Sequence, residues 1–502
     1  NEQLETGKAN RAVKNFLDLQ ELDPQNSHIN YKVGRTYLLL NGKKSEAVPY
    51  LEKAVVKTSS KAKDSPKETL APLDAYFYLA RAYHLDSQFD NAIAAYRKYM
   101  EVDKSIDKER KAEVEWMIQT CHNAKLIVDS PISATTENLG EKINSIYDEY
   151  SAVVDATESM LIFTSRRPTS TGGYLDVDDK YFEDIFVSLK EEDGSWGKPS
   201  SIGSNINTEG HEATIGLSAD GQELYIYRDD FGDGNIYVCD FKGGSWSEPK
   251  LLNDNVNSPF RETHATVSAD GQTLYYTSDK AGEGGMDIFR SKRLPTGEWA
   301  VSENLGEVVN TKYDEEAPFI HPDGKTLFFS SKGHNSMGGY DIFFSILEND
   351  KWSTPMNIGH PMNTADDEYF FVMSADGKRA YYSSSNGQGI GGKDIYLVRL
   401  DTDREVPLTV YKGAIVPDAA GKWPKDVEIR VTDNETGELF GVYRPRQDNG
   451  KFVLILHPGM NYNIAYEANG YLYKSEKLYV PENTAYFEIN RAIQLKPMVL
   501  DK

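Results

Sequence analysis

A unit of about 50 residues recurs along the middle of this chain, and the repetition limits the possible fold more than any other feature. Asp-Gly pairs repeat at spacings of 50, 53 and 53 residues, beginning at Asp220, Asp270, Asp323 and Asp376. Triplets of Asp or Asn, Ile and an aromatic residue begin at Asp184, Asn235, Asp287, Asp341 and Asp394. Tryptophans follow the first four triplets, at Trp196, Trp246, Trp299 and Trp352. Three markers with nearly one period indicate structural repeats.

Each marker has a structural reason. An Asp-Gly pair supplies the positive φ angles of a two-residue hairpin between strands. Runs such as Leu274-Tyr275-Tyr276 have the aromatic content that strands favour. The glycine-rich stretch before each triplet indicates a connection into a third strand, and the tryptophan with a nearby proline indicates a short edge strand. The repeat therefore predicts a β-propeller, and five triplets predict five blades.

The first and last repeats are incomplete in complementary ways. The first blade begins near Asn144, whereas the fifth has no tryptophan strand after its triplet at Asp394. Upstream, residues 137–140 match the repeat ending at residues 304–306. We therefore expect residues 132–140 to pair with the fifth blade and close the ring, since closure removes two open sheet edges.

Residues 1–130 have a helical period instead. Small and aromatic residues fall at offsets of 0, 4 and 7 in three sets, which are Ala12, Phe16 and Leu19, then Ala47, Leu51 and Ala54, then Ala92, Tyr96 and Tyr99. This pattern resembles the tetratricopeptide repeat, in which small residues let paired helices approach closely. We expect residues 107–128 to cap the array. The candidate residues of its concave groove are Asn30, Arg35, Tyr76 and Arg81, and packing explains Tyr76 equally well.

Residues 403–500 alternate between apolar and polar positions, for example over residues 427–431, with turn signals between the runs. Such short strands predict a small antiparallel sandwich. Residues 411–416, 450–452 and 468–471 resemble the carboxypeptidase regulatory-like, transthyretin-type sandwich. The predicted fold class is therefore multidomain, with helical repeats over 1–130, a five-bladed propeller over 131–402 and this sandwich over 403–500.

Composition excludes several classes of function. The 502 residues carry a net charge of −23, which argues against a nucleic-acid surface and a polybasic membrane anchor. Cys121 and Cys239 lie in different predicted domains and are expected to be packed thiols. No stretch has the length and apolarity of a membrane-spanning helix. The chain begins with Asn inside a structural repeat, so we expect a processed or trimmed product.

The sequence predicts no enzyme, no metal and no cofactor. It contains no Gly-x-Ser-x-Gly, Cys-x-x-Cys or His-Glu-x-x-His pattern and no Walker loop. The acidic loop over residues 229–235 is interpreted as a structural turn, with a cation site as the alternative, because the terminal Glu of an EF-hand is missing. The Asp of each triplet is expected to cap a turn.

One glutamate stands five residues after an asparagine in each repeat. The pairs are Asn144 and Glu149, Asn207 and Glu212, Asn257 and Glu262, Asn310 and Glu315, and Asn363 and Glu368. Since these glutamates begin the innermost strands, they are candidates for a ring around one mouth of the central channel. Such a ring is either an acidic funnel for a basic peptide or cation, or a set of hydrogen bonds between blades to backbone N–H groups, which we favour. The choice of Glu315 over Glu316 rests on spacing.

The chain as a whole has a family resemblance. Residues 322–325 and 338–343 resemble the PD40, TolB-type WD40-like repeat. The domain order resembles the PorE-type, OmpA-family periplasmic proteins of the Type IX secretion system. That resemblance implies an outer-membrane-associated periplasmic lipoprotein whose further, OmpA-like domain binds peptidoglycan. The implied function is a non-enzymatic scaffold for the protein partners of a secretion or gliding machine.

The alternative function is a module that binds a carbohydrate or peptide ligand at the propeller mouth. Aromatic loop residues are plausible stacking groups for such a ligand, namely Tyr147, Tyr174, Phe231, Phe260, Tyr313 and Tyr369. A scaffold predicts flat surfaces shaped for partners, whereas a ligand module predicts a pocket with convergent polar groups.

Overall fold

The structure is a computed structural model. It describes residues 4, 7–229, 232, 234–385, 389–402 and 406–498. Among these residues, no helix is both long enough and apolar enough to cross a membrane. The described part of the chain forms a helical region, a ring of five β-sheets and a β-sandwich.

The helical region is an array of paired helices. In chain order its helices are α1 (Ala9–Leu22), α2 (Ser27–Tyr37), α3 (Val48–Ala54), α4 (Ala75–Leu85), α5 (Phe89–Val102) and α6 (Lys108–Val128). The Asn26 side chain caps α2 by accepting a hydrogen bond from the Ile29 N–H at 3.0 Å. Gly34 lets α2 and α3 approach, because a Cβ there would lie 2.4 Å from Leu51 Cγ. The small residues of the sequence pattern, such as Ala80 and Ala92, are fully buried between the helices.

The central region is a ring of five antiparallel sheets, which we call the five-sheet ring. Its strands in chain order are β1 (Ala134–Asn138), β2 (Glu149–Val154), β3 (Met160–Ser165), β4 (Asp184–Leu189), β5 (Ser200–Ser201), β6 (Glu212–Leu217), β7 (Glu223–Arg228), β8 (Asn235–Lys242), β9 (Ser245–Trp246), β10 (Lys250–Leu251), β11 (Glu262–Val267), β12 (Thr273–Ser278), β13 (Asp287–Lys292), β14 (Glu303–Asn304), β15 (Glu315–Ile320), β16 (Thr326–Ser331), β17 (Asp341–Glu348), β18 (Lys351–Trp352), β19 (Met356–Asn357), β20 (Glu368–Met373), β21 (Arg379–Ser384) and β22 (Asp394–Leu400). The innermost strands β2, β6, β11, β15 and β20 contact one another in sequence, and β20 contacts β2 again. Each sheet corresponds to one sequence repeat.

The predicted closure of the ring is confirmed by strand pairing. Strand β1 pairs antiparallel with β22, with Ala134 opposite Leu400 and Asn138 opposite Tyr396. The first strand of the ring in chain order therefore completes the last sheet. The similarity of residues 137–140 to residues 304–306 predicted this.

Two local predictions for the repeat need correction. The Asp-Gly hairpins have four-residue loops rather than two-residue loops, since Ser268 and Thr273 close the loop and the Gly271 N–H bonds the Ser268 carbonyl at 2.7 Å. Glycine suits this loop because its backbone readily adopts a positive φ, which is +70° at Gly271. The outer strand of the second sheet is β10, which follows Pro249, whereas Trp246 lies in a short hairpin at the end of β8.

The last region is a sandwich of two sheets. Its strands are β23 (Thr409–Val416), β24 (Glu428–Asp433), β25 (Leu439–Tyr443), β26 (Lys451–Leu456), β27 (Met460–Glu467), β28 (Lys474–Val480) and β29 (Phe487–Gln494). One sheet has the order β26-β23-β29 and the other β25-β24-β27-β28, and buried residues such as Tyr411, Ile429 and Tyr466 fill the space between them. The prediction of a purely antiparallel sandwich is wrong in one place, because β29 runs parallel to β23.

The helical region and the sandwich contact opposite faces of the five-sheet ring. Helix α6 stacks Trp116 on Tyr313, just before β15, with ring centroids 4.8 Å apart. The sandwich contacts the turns at the other ends of the inner strands, where the Gln222 side chain donates to the Arg444 carbonyl at 2.7 Å. The ring therefore lies between the two other regions.

Candidate functional site at the mouth of the five-sheet ring

The five predicted glutamates do not line an open channel. Glu149, Glu262, Glu315 and Glu368 are 0% exposed and Glu212 is 2% exposed. Each carboxylate accepts hydrogen bonds from the backbone N–H and the hydroxyl of the residue four positions earlier, for example from Thr311 to Glu315 at 2.7 and 2.8 Å. The acidic-funnel interpretation of Glu149, Glu212, Glu262, Glu315 and Glu368 is therefore wrong. The bonds come from the loop that enters each glutamate's own strand and, for Glu149, Glu262 and Glu315, also from a serine on the next strand of the same sheet. They therefore do not join neighbouring sheets as predicted.

Burial has an electrostatic consequence for these carboxyls. It raises the pKa of Glu315 to about 7, although hydrogen bonds from Ser331 and Thr311 oppose the rise. Glu149 is also raised by burial, while Arg167 lies 3.1 Å from its carboxylate and lowers the pKa. The repeat thus carries a buried acid whose ionised form depends on local donors.

The asparagines that precede the glutamates join neighbouring sheets. The Asn310 side chain accepts from the Ile288 N–H at 2.8 Å and donates to the Ile288 carbonyl at 3.0 Å. Asn363 makes the same pair of bonds to Ile342, both at 2.8 Å. Each asparagine therefore imitates a strand partner for the isoleucine of the preceding triplet. The sequence contained this signal, but we attributed the contact between blades to the glutamates.

The aspartates of the triplets have the predicted role in the loops. Asp184 accepts from the Thr171 N–H and hydroxyl, each at 2.8 Å. Asp287 accepts from the Gly284 N–H at 3.1 Å and from the Asn304 side chain at 2.9 Å. These aspartates fix the glycine-rich loop and the outermost strand of their own sheet.

Above the buried glutamates, on the face that the helical region contacts, the inner strands and adjoining loops form a mouth of polar and aromatic groups. The mouth consists of Tyr150, Glu183, His211, Arg261, His264, Glu316, Tyr340, Tyr369, Phe370 and Lys393. Tyr340 and Tyr369 have ring centroids 4.5 Å apart, and Phe370 lies 5.9 Å from Tyr150 and 5.1 Å from His264. An aromatic wall thus extends across the axis of the ring.

The mouth is closed from below. A cavity of only about 20 Å³ lies along the axis between the inner strands, and apolar side chains such as Val153, Ile215 and Phe371 line it. A cavity of this volume is too small to hold a ligand larger than a water molecule. The mouth is therefore a depression above a narrow, apolar part of the axis.

The acids of the mouth are all occupied by donors. Glu183 accepts from the Tyr150 hydroxyl at 2.7 Å and contacts His211. Burial alone raises the Glu183 pKa, but the bonds from His211 and Tyr150 outweigh it and lower the pKa to about 2. Glu316 accepts from the Tyr340 hydroxyl at 3.2 Å, and His264 lies 3.4 Å away. These carboxylates are held in place by the tyrosine hydroxyls and the neighbouring histidines.

Lys393 and Arg261 are different. Within the described part of the chain, no carboxylate oxygen lies within 4 Å of either cationic group. The Lys393 ammonium lies 5.3 and 5.5 Å from the ring centroids of Tyr150 and Tyr369, a cation–π arrangement. Burial lowers the Lys393 pKa, and Asp148 and Asp367 partly oppose this. The sequence repeat does not reveal Lys393 and Arg261, because the equivalent positions of the other repeats hold different residue types.

The helical groove differs from its prediction. Asn30 is 0% exposed, and its side chain bonds the Pro24 and Asn26 carbonyls at 3.0 and 2.8 Å, so its assignment to the groove is wrong. Tyr76 packs in the helical core and donates to the Val55 carbonyl at 3.3 Å. Arg35 and Arg81 are exposed.

Part of the concave side is already covered. The Arg110 guanidinium of α6 lies 3.6 Å from the Phe77 ring centroid. His84 Nε2 lies 2.6 Å from the Met337 carbonyl of the five-sheet ring. Helix α6 and the ring thus occupy much of the groove face of α4.

The remaining candidates have simple positions. In the acidic loop, Asp229 accepts from the Gly232 N–H at 2.6 Å, while Asp230, Phe231 and Asp233 lie outside the described residues. No group of three or more His, Cys, Asp or Glu residues in the described ranges is placed to hold a metal ion. Cys121 and Cys239 are buried, and burial raises the pKa of each thiol to about 12.

Comparisons with known proteins bear on two of the regions. Residues 73–106 match the family model of the tetratricopeptide repeat, and no curated protein matches the chain. TolB of Agrobacterium tumefaciens is 16% identical over 54% of this chain and 99% of its own, with a TM-score of 0.28. TolB of Acinetobacter baumannii is 13% identical over 59% of this chain and 72% of its own, with a TM-score of 0.31.

An α-L-arabinofuranosidase of Podospora anserina is 12% identical over 54% of this chain and 95% of its own, with a TM-score of 0.33. No functional argument rests on likenesses of this degree. The helical region is thus similar to tetratricopeptide repeats, and the large all-β region has TolB proteins among its structural neighbours.

Proposed function

We propose that this chain is a non-enzymatic scaffold of the bacterial cell envelope. In this proposal the five-sheet ring is a five-bladed PD40-type β-propeller and the sandwich is of the carboxypeptidase regulatory-like type. The observation that supports a scaffold is the direct contact of both other regions with opposite faces of the ring, through the Trp116–Tyr313 stack on one side and the Gln222–Arg444 bond on the other. Three surfaces are then presented in one fixed arrangement.

The proposed setting is the periplasm, next to the outer membrane. The order of the three regions resembles that of the PorE-type proteins, and on this resemblance we propose that the scaffold serves a Type IX secretion or gliding machine. Attachment to the membrane would require an N-terminal lipid anchor, and attachment to peptidoglycan would require an OmpA-like domain.

The proposal is tested by photocrosslinking in whole cells that make the protein. A photoreactive amino acid at Arg35 or Arg81, on the exposed face of the helical array, should yield discrete crosslinks to envelope proteins. The same group at Lys351, on an exposed hairpin of the five-sheet ring, is the matched control. Crosslinks that are the same at all three positions, or a protein recovered from the cytoplasm, would contradict the proposal.

The absence of enzymatic activity is part of the proposal. Purified protein is expected to leave peptide and glycan substrates intact during prolonged incubation. Turnover that follows the protein through purification would show that an enzyme is present.

A second candidate function is binding of a ligand at the mouth of the ring. Lys393 and Arg261 favour it, because they lie beside an aromatic wall and have no carboxylate oxygen within 4 Å in the part of the chain that the structure describes. Titration with muropeptides and short oligosaccharides distinguishes the candidates, because a pure scaffold has no saturable small-ligand site there.

A further inference from the structure

The acids and the two cations at the mouth of the ring differ in their partners. Glu183 and Glu316 accept hydrogen bonds from tyrosine and contact histidines, and Asp148 lies 2.6 Å from the Lys180 ammonium. Asp367 accepts from the Tyr340 N–H at 3.0 Å. The two acids of the mouth and these two neighbouring acids thus have donors, whereas Lys393 and Arg261 have no carboxylate oxygen within 4 Å among the described residues. Asp148 and Asp367 act on Lys393 only from beyond 4 Å, so its ammonium makes no direct ion pair with either of them.

Lys393 is held where an anion could reach it. It directly precedes β22, and its carbonyl accepts from the Glu149 N–H at 2.9 Å, so its backbone is fixed to the neighbouring sheet. Its side chain is half-buried between the Tyr150 and Tyr369 rings. A partly desolvated ammonium without a counter-ion pairs more favourably with a carboxylate than an exposed one does.

A cleft lies beside the segment that directly precedes Lys393. It has a volume of about 680 Å³ and lies between the helical region and the ring. Its lining includes Gly391 and Gly392, which directly precede Lys393, and also Tyr147. Two apolar side chains of the lining are largely exposed, Leu39 at 59% and Ile146 at 75%. The cleft therefore offers apolar surface for side chains of a ligand next to the segment that precedes Lys393.

We propose that the mouth binds a peptide segment of a partner protein through a carboxylate, which pairs with Lys393. Aromatic or aliphatic side chains next to that carboxylate pack against Tyr150, Tyr369 and Phe370 or along the cleft. Arg261 provides the second positive charge on the opposite rim. This inference deepens the proposed scaffold function, because it gives the chemistry of one partner and reverses the sign expected from an acidic funnel.

The test observes Lys393 directly. Lysines are reductively methylated with ¹³C-formaldehyde, and the Lys393 dimethyl signal is assigned by its loss in Lys393→Arg. The probe is a mixture of random hexapeptides with one fixed central Asp, and its control carries Asn at that position. We expect the Asp mixture to shift the Lys393 signal saturably, and the Asn mixture to leave it unchanged.

The variants separate binding from folding. Lys393→Gln should weaken binding of the Asp mixture about tenfold or more, measured by calorimetry, since a charge-assisted hydrogen bond is lost. Lys351→Gln removes an exposed lysine elsewhere and should bind as the unaltered protein does. Lys393→Arg keeps the charge and should retain most of the affinity, so a loss in Lys393→Gln alone cannot be ascribed to unfolding.

Three results would overturn the inference. These are no shift with the Asp mixture, equal shifts with the Asp and Asn mixtures, or an equally strong shift with sodium acetate, which would identify a free carboxylate as sufficient. None of them affects crosslinking at Arg35 or Arg81, so failure of this inference and failure of the scaffold proposal are distinguishable.

Discussion

At the scale of single residues, the buried polar groups of the repeat hold the five-sheet ring together. A glutamate joins the loop to the inner strand, an asparagine joins one sheet to the next, and an aspartate fixes the glycine-rich loop. Residue spacing revealed all three sets in the sequence. It did not reveal which set bridges the sheets, because a spacing gives position along the chain and leaves the direction of a side chain open.

Glu315 should make stability depend on pH. Its pKa is about 7 in the folded protein against an ordinary value of 4.5, so the folded state binds the proton more tightly than the unfolded chain. The contribution of Glu315 is therefore complete below about pH 4.5 and declines as pH rises to about 7. Glu315→Gln should flatten that decline in urea unfolding midpoints measured from pH 5 to 8. Glu307→Gln, at an exposed position, should not change it.

Asn310 should be more important for stability than its size implies. Asn310→Ala leaves the buried N–H and carbonyl of Ile288 without partners, which costs about 2–4 kcal/mol for two such groups. Denaturant unfolding of the variant measures this loss. A change below about 0.5 kcal/mol, the usual size for a surface substitution, would contradict the bridging role.

At the scale of elements, the decisive contacts are those that no single repeat makes alone. Strand β1 closes the ring by pairing with β22, and the sequence predicted this because residues 137–140 repeat the ending of another unit. The parallel pairing of β29 with β23 was not predictable in the same way. Alternation identifies a strand but contains no information about its direction relative to its neighbour.

A pair of proline substitutions tests the closure. The Leu139 N–H donates to the Ile395 carbonyl and the Asp401 N–H to the Ser133 carbonyl. In an antiparallel pair, the N–H groups of successive residues point alternately toward and away from the partner strand. With the register of β1, the Thr135 N–H therefore points toward β22 and the Thr136 N–H points away from it. Thr135→Pro should therefore destabilise the ring by about 3 kcal/mol or more, and Thr136→Pro should cost much less. Equal losses in thermal unfolding would contradict this closure.

Gly34 tests the close packing of the helices. Gly34→Ala should destabilise the protein by about 1–3 kcal/mol through overpacking, although alanine is the better helix former. Shortening the opposing side chain by Leu51→Ala should recover part of that loss in the double variant, as a double-mutant cycle would measure. Two losses that simply add would show that the residues do not contact each other.

At the scale of the whole molecule, function depends on how the three regions face one another, and the sequence contained least about this. Residues 107–128 cap the helical array as expected, and Trp116 of this helix also stacks on Tyr313 of the ring, which was not expected. His84 and Phe77 were not singled out, yet contacts to Met337 and Arg110 cover the groove there. Helical periodicity shows which side of a helix is apolar, and the partner of that side depends on long-range packing.

The central claim is that the chain holds its three regions in one arrangement. The direct measurement is the distance between spin labels attached at Lys98→Cys in the helical region and Lys477→Cys in the sandwich, both exposed positions. Native Cys121 and Cys239 are buried and should remain unlabelled in the folded protein. We predict a single narrow distance distribution by double electron–electron resonance. A broad distribution would show independently moving regions and contradict the scaffold as described.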